Sequence, residues 1–256
     1  MDAEPHPSAA KREADEDFHP ERFAAWQQLL AEFIGTAFLL MAMVGAGIQA
    51  SAGSATVSDL GLLGISLATG LSLFVLIPTF GHVSGAHFNP VVSLVMALRR
   101  DITPIMAALY TVAQCAGGFV GLWIAHAMFK ADIFQISTSA RSGFGMWLAE
   151  FMCTAGLLLV ILNTSRAAPH ATPAAVGLFI FAAFWFTAST AFANPAATLA
   201  RTFTNTLSGI RPADMGQFIA SQYLGALFAW ALNTFALQPQ DDATPTPFSA
   251  NKPLLG

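Results

Sequence analysis

The chain has 256 residues, a formal net charge of −4, 55% hydrophobic residues and only 10% charged ones. Soluble domains carry about 25% charged residues, so this composition excludes an ordinary soluble domain, and the few basic residues form no patch of the kind nucleic acid requires. The remaining class is a protein that crosses a membrane several times.

The first 23 residues are acidic, contain proline and hold no apolar stretch. They read as a disordered tail, not a signal peptide. Runs free of Asp, Glu, Lys and Arg then extend over 33–58, 60–98, 102–129, 151–165, 167–200 and 215–240. Crossing a hydrocarbon core of about 30 Å takes roughly 20 apolar residues as a helix. Six spans are therefore predicted, at about 24–49, 60–80, 104–128, 143–164, 173–191 and 213–237. Two short segments, about 90–98 and 195–204, are left over, and each follows an Asn-Pro pair. Residues 238–256 read as a second disordered tail. Cys115 and Cys153 fall inside predicted spans and read as small buried hydrophobes, not as a disulfide. Gly117 and Gly121 give a spacing suited to close helix packing.

Basic residues set the expected orientation. With a cytoplasmic N-terminus, Lys11, Arg12, Arg22, Arg99, Arg100, Arg166 and Lys252 lie inside, while only Lys130, Arg141 and Arg211 lie outside. Both termini are expected in the cytoplasm, with Arg201 in the outer half of the membrane.

The two halves repeat. Glu32 opens EFIGTAFLL and Glu150 opens EFMCTAGLL; Asn89-Pro90 is echoed by Asn194-Pro195, and Gln114 by Gln222. Each half, about 24–128 and 143–237, has three crossings, so the second enters from the opposite face: an inverted repeat. Non-helical backbone survives at membrane depth only inside protein or beside a watery cavity. Proline suits the first helical position and asparagine the N-cap, leaving its amide NH₂ to donate into such a cavity. Inversion brings the two helix N-termini together near the midplane, each with about half a positive charge. That pair opposes cations while its amides hold a passing oxygen atom. The fold expected is an all-α membrane protein with six transmembrane helices and two re-entrant half-helices, shaped as a pore for small neutral polar solutes.

The segments GHVSGAHFNPVVSL and ANPAATLAR, with the Glu and Gln markers, resemble the aquaporin and aquaglyceroporin family of major intrinsic proteins over about residues 24–237. The resemblance implies an aquaporin-like channel domain, a homotetramer with one pore per subunit, passive flow, and no catalytic residue, metal or other cofactor. It implies pore motifs at Asn89, Pro90, Val91 and at Asn194, Pro195, Ala196, with Glu32, Glu150 and His82 bracing the loops. A bacterial inner membrane is the expected location, with the lipid bilayer and small neutral solutes as partners and no nucleic acid.

Two positions depart from the family pattern, and the second carries most of the functional expectation. Val91 replaces an alanine, and Ala197 stands where most members carry a filter arginine. Matching by position places Thr69, Ala182 and Ala191 beside Ala197 in the selectivity filter. None is large, charged or aromatic, so a wide filter is expected. It would pass glycerol- or urea-like solutes, neutral metalloid hydroxides including arsenicals, and water. Arg201, four residues after Ala197, is expected at the outer mouth, either drawing in polar or anionic solutes or snorkelling to the interface. A coupled secondary transporter is the alternative, because it also uses inverted repeats and broken helices. It needs a titratable or ion-binding residue at the midplane, where this sequence offers neutral asparagines. An intramembrane serine protease fails at its motif, because His82 stands two residues before Ser84.

Overall fold

The computed structural model describes residues 23–51 and 59–237. The two tail readings lie almost wholly outside the described residues. Among the described residues eight α-helices follow in order: α1 Ala25–Ser51, α2 Asp59–Ser84, α3 Pro90–Leu98, α4 Pro104–Met128, α5 Phe144–Ala167, α6 Thr172–Phe186, α7 Pro195–Ala200 and α8 Pro212–Ala236. A 3₁₀ turn, Pro169–Ala171, leads into α6, and another, Arg201–Phe203, extends α7. Proline occupies the first or second position of α3, α4, α6, α7 and α8, where its missing N–H costs no helical bond.

By length and composition α1, α2, α4, α5 and the stretch Pro169–Phe186 can each cross a membrane. Helix α8 has 25 residues, enough for about 37 Å, but its hydropathy is diluted by Gln217, Ser221, Gln222 and Asn233. The polarity is turned inward. Glu32, Gln114, Glu150 and Gln222 are wholly buried, whereas Leu60, Phe74, Ile105, Val112, Leu178 and Phe235 face outward. Such a distribution suits lipid outside and a polar path within.

Packing follows the repeat. Helix α1 lies against α4 as α5 lies against α8, and α2 packs on α6 to join the halves. Close approach is built into these pairs by glycine. A Cβ on Gly117 would strike the Phe33 carbonyl and one on Gly121 the Ala37 carbonyl, while Gly225 meets the matching Phe151 carbonyl in the second half. The half-helices α3 and α7 touch each other, and each packs on both α4 and α8.

Two predicted boundaries move. Helix α2 runs to Ser84 instead of 80, passing through Pro78 and stopping only at Gly85, whose φ is 86°. Helix α6 ends at Phe186 instead of 191. There the Thr187 N–H donates to the Ala183 carbonyl (3.1 Å), and the Thr187 hydroxyl accepts from the Ala191 N–H (3.1 Å), turning the chain. The absence of charge from 167 to 200 concealed this turn, because its polar groups are all neutral.

Candidate functional site: two capped half-helices and a cavity

Each Asn-Pro is preceded by a loop that repeats backbone conformation residue for residue. Gly85, Ala86 and Phe88 have positive φ, as do Thr190, Ala191 and Ala193, which stand at the same distances before Asn194. Left-handed geometry costs non-glycine residues on the order of 1–3 kcal/mol each and persists only where surroundings enforce it.

A buried glutamate supplies that enforcement in each half. Glu32 Oε1 accepts from Ser84 Oγ (2.6 Å) and the His87 N–H (2.9 Å), and Oε2 accepts from the Phe88 N–H (2.6 Å) and Gln114 Nε2 (2.8 Å). Glu150 accepts from the N–H groups of Phe192 (3.1 Å) and Ala193 (2.9 Å) and from Gln222 Nε2 (2.6 Å). Every partner is a donor, so both side chains act as acceptors that hold loop backbone in place. Gln114 and Gln222 also donate to Ser93 Oγ (3.0 Å) and Thr198 Oγ1 (2.8 Å), fastening each glutamate to the half-helix it serves.

The third expected brace, His82, is exposed, and its ring meets Phe23 edge-on at 5.8 Å. It stands on the last turn of α2, one turn short of the loop. The histidine built into the loop is His87. Its backbone binds Glu32, its Nδ1 lies 3.1 Å from Ser93 Oγ, and its ring packs on Tyr110 at 5.2 Å. The signal that could have found it is its place two residues before Asn89.

Asn89 Oδ1 caps α3 by accepting from the Val91 N–H (3.1 Å), and Asn194 Oδ1 caps α7 by accepting from Ala196 (3.0 Å) and Ala197 (3.1 Å). Their amide nitrogens are not wholly free, as the sequence reading had them. Asn89 Nδ2 donates to the Ala193 carbonyl and Asn194 Nδ2 to the Phe88 carbonyl, both at 2.8 Å. One hydrogen of each amide thus ties one half of the chain to the other, and the second hydrogen remains for the cavity.

That cavity, of about 490 Å³, is lined among others by Arg99, Asp101, Asn89, Asn194, Thr69 and Ala197. Arg99 and Asp101 pair at 2.9 Å. One wall is aliphatic, from Leu73, Ile77, Val176 and Ile180; the other is loop backbone with His87 and Phe192. Among the described residues no hydrogen bond reaches the carbonyls of His87 or Phe192. This provides an acceptor strip facing apolar side chains, with amide donors midway.

Three of the four expected filter residues line this cavity: Thr69, Ala191 and Ala197. The Thr69 hydroxyl donates to the Ile65 carbonyl (2.8 Å), so its oxygen is left to accept. Ala182 is not among them. It is exposed on the outer face of α6, and the inward positions are Val176 and Ile180. Counting backward from Asn194 failed because residues 187–193 are loop, not helix. Val91 is fully buried beneath the first cap.

Arg201, expected at the outer mouth, is 2% exposed and does not line the cavity. Its Nε donates to the Ser208 carbonyl, and its Cζ lies 3.2 Å from the centroid of the Phe192 ring. Arg141 approaches the same ring at 4.9 Å and donates to the carbonyls of Gly209 (2.7 Å), Leu207 (2.9 Å) and Ser189 (3.2 Å). Neither Phe192 nor Arg141 belongs to a motif, so the sequence marks neither for this contact.

Five stretches long and apolar enough to cross a membrane, a sixth helix of matching length, two asparagine-capped half-helices and a cavity at their tips define a membrane channel. The chain belongs to the major intrinsic protein family, which it matches over residues 20–189. It is 46% identical over 219 residues to aquaglyceroporin AqpS of Rhizobium meliloti (strain 1021), covering 86% of this chain and 94% of that protein. It is 30% identical over 168 residues to aquaporin Z of Photorhabdus laumondii, covering 59% and 72% respectively. In fold it is similar to the aquaglyceroporin of Plasmodium falciparum, with a TM-score of 0.69 at 22% identity, covering 84% of this chain and 98% of that one.

Proposed function

We propose that the protein is a passive, bidirectional channel for uncharged solutes of glycerol and urea size, for neutral metalloid hydroxides such as arsenous acid, and for water. The observation that carries the reading is Ala197, a methyl group at the cavity wall in the position where the family resemblance implies an arginine. Beside it Thr69 and Ala191 add little bulk, so diameter does not restrict passage to water. The Rhizobium relative is named as an aquaglyceroporin, which supports a polyol-sized pathway.

Flow is downhill. A coupled transporter needs a group that binds and releases an ion, and the two buried glutamates have their oxygens committed to loop donors. The working form is a homotetramer in the bacterial plasma membrane, and the distribution of lysine and arginine favours both termini in the cytoplasm.

The test uses purified protein in liposomes, with shrinkage compared for water, glycerol, urea and arsenous acid. Passage of all four without a proton leak is expected. Fast water with no larger solute would overturn the wide-filter reading, and accumulation driven by a proton gradient would overturn the passive one.

A further inference from the structure

The repeat allows the two sides of the cavity to be compared position by position. Helix α3 ends at Leu98, close before α4 begins at Pro104. Helix α7 leads instead to Thr204, whose hydroxyl lies 2.8 Å from Nε2 of His126 in the last turn of α4. From their joined caps the half-helices therefore run toward opposite ends of α4. The backbone around them repeats closely: the two loops share their left-handed positions, and Gly117 meets Phe33 as Gly225 meets Phe151. A Cβ on Gly70 would strike the Gly177 carbonyl and one on Gly177 the Gly70 carbonyl, which makes α2 and α6 a matched pair. With the backbone matched, side chains decide which side of the cavity is narrower.

Three residues after each capping asparagine stand Val92 and Ala197, and both line the cavity. Seven residues after it stand Met96 and Arg201. Met96 lines the cavity, whereas Arg201 is buried away from it. Eleven residues after each bracing glutamate stand Met43 and Ile161, and just before the matched glycines stand Thr69 and Val176; all four line the cavity. Methionine and isoleucine are alike in size, and so are threonine and valine. The α3 side thus has a valine where the α7 side has an alanine, and a methionine whose counterpart is turned out of the path. It also has hydrocarbon where the α7 side has the Thr69 hydroxyl.

We propose that Met96 is a specificity-determining residue of the channel: with Val92, Ile161 and Val176 it forms an apolar tier on the α3 side that sets the largest solute passed. Selectivity in a pore follows its diameter and its lining groups, and this tier is the bulkier of the two and the poorer in hydrogen-bonding groups. Methionine is unbranched, with three rotatable bonds, so the tier gives way to a slender solute and resists a longer one. The solutes admitted are compact uncharged molecules up to a short polyol, sorted at the α3 side and not at Ala197. This inference rests on the channel reading above and concerns what sets its upper size limit.

The test is liposome shrinkage of full-length protein with glycerol and with ribitol, read as the ribitol-to-glycerol ratio after subtraction of the empty-vesicle rates. Met96→Ala is expected to raise that ratio about tenfold and Val92→Ala about threefold. Met96→Phe, which adds bulk, is expected to slow glycerol about tenfold and water less. Ala197→Val, which only brings the α7 side level with Val92, is expected to shift the ratio less than about twofold. An unchanged ratio in Met96→Ala, or in Val92→Ala where the former does not fold, would overturn the tier. So would a fall in Ala197→Val as large as the rise in Met96→Ala. If the native protein passes water but no glycerol, the wide-filter reading falls. Glycerol admitted by Met96→Ala would then still support the tier, and glycerol refused by it would overturn the tier as well.

Discussion

At the scale of single residues, what matters is which side chains a solute meets. Ala197 contributes no charge and little volume at the cavity wall. Replacing it with arginine adds a long cation facing the path, so Ala197→Arg is expected to slow glycerol and urea about tenfold in liposome shrinkage and to slow water less. Val91 is sealed under the first half-helix cap. Val91→Ala is expected to cost about 1–2 kcal/mol through a small cavity and to leave the order of permeation unchanged; thermal unfolding with the same flux assay checks both. The alanine at 197 was legible because it follows a motif that fixes its position. Ala182 was misplaced because the count ran through seven residues of loop.

At the scale of elements, each half-helix depends on a glutamate from another helix. Glu32 gathers two loop N–H groups, a serine and a glutamine, and Glu150 gathers two loop N–H groups and a glutamine. Removing either side chain strands buried donors at about 1–3 kcal/mol each and releases left-handed loop residues. Glu150→Ala is therefore expected to lower the unfolding midpoint sharply and abolish flux, whereas Gln222→Ala, which removes one donor and leaves the loop contacts, is expected to do so partly. Gly117 tests the helix pairing: Gly117→Leu forces a side chain into the Phe33 carbonyl, and the expected outcome is loss of a monodisperse species on size exclusion. The helices, the half-helices and the glutamate–glutamine markers were all visible in the sequence, since long charge-free runs and paired motifs are local patterns. The ends of α2 and α6 were not, because a turn made by Gly85 or by the neutral hydroxyl of Thr187 leaves no mark in a charge count.

At the scale of the whole molecule, inversion sets what the pore excludes. Two helix N-termini meet at the asparagines, and their partial positive charges raise a barrier to cations. Reconstituted protein is accordingly expected to pass neutral solutes with no proton or sodium current above that of empty vesicles, measured with a pH-sensitive dye and by planar-bilayer recording. The inverted arrangement was readable from the order Glu, Asn-Pro, Gln in each half; the handshake between halves was not, since nothing in a linear sequence pairs Asn89 with Ala193. That handshake also bears on how the protein is made. Asn89 donates to a carbonyl 104 residues later, and Asn194 to one 106 residues earlier. While the ribosome is still making the second half, the first loop holds an asparagine whose acceptor does not yet exist, so the pore can close into shape only when the last third of the chain has entered the membrane.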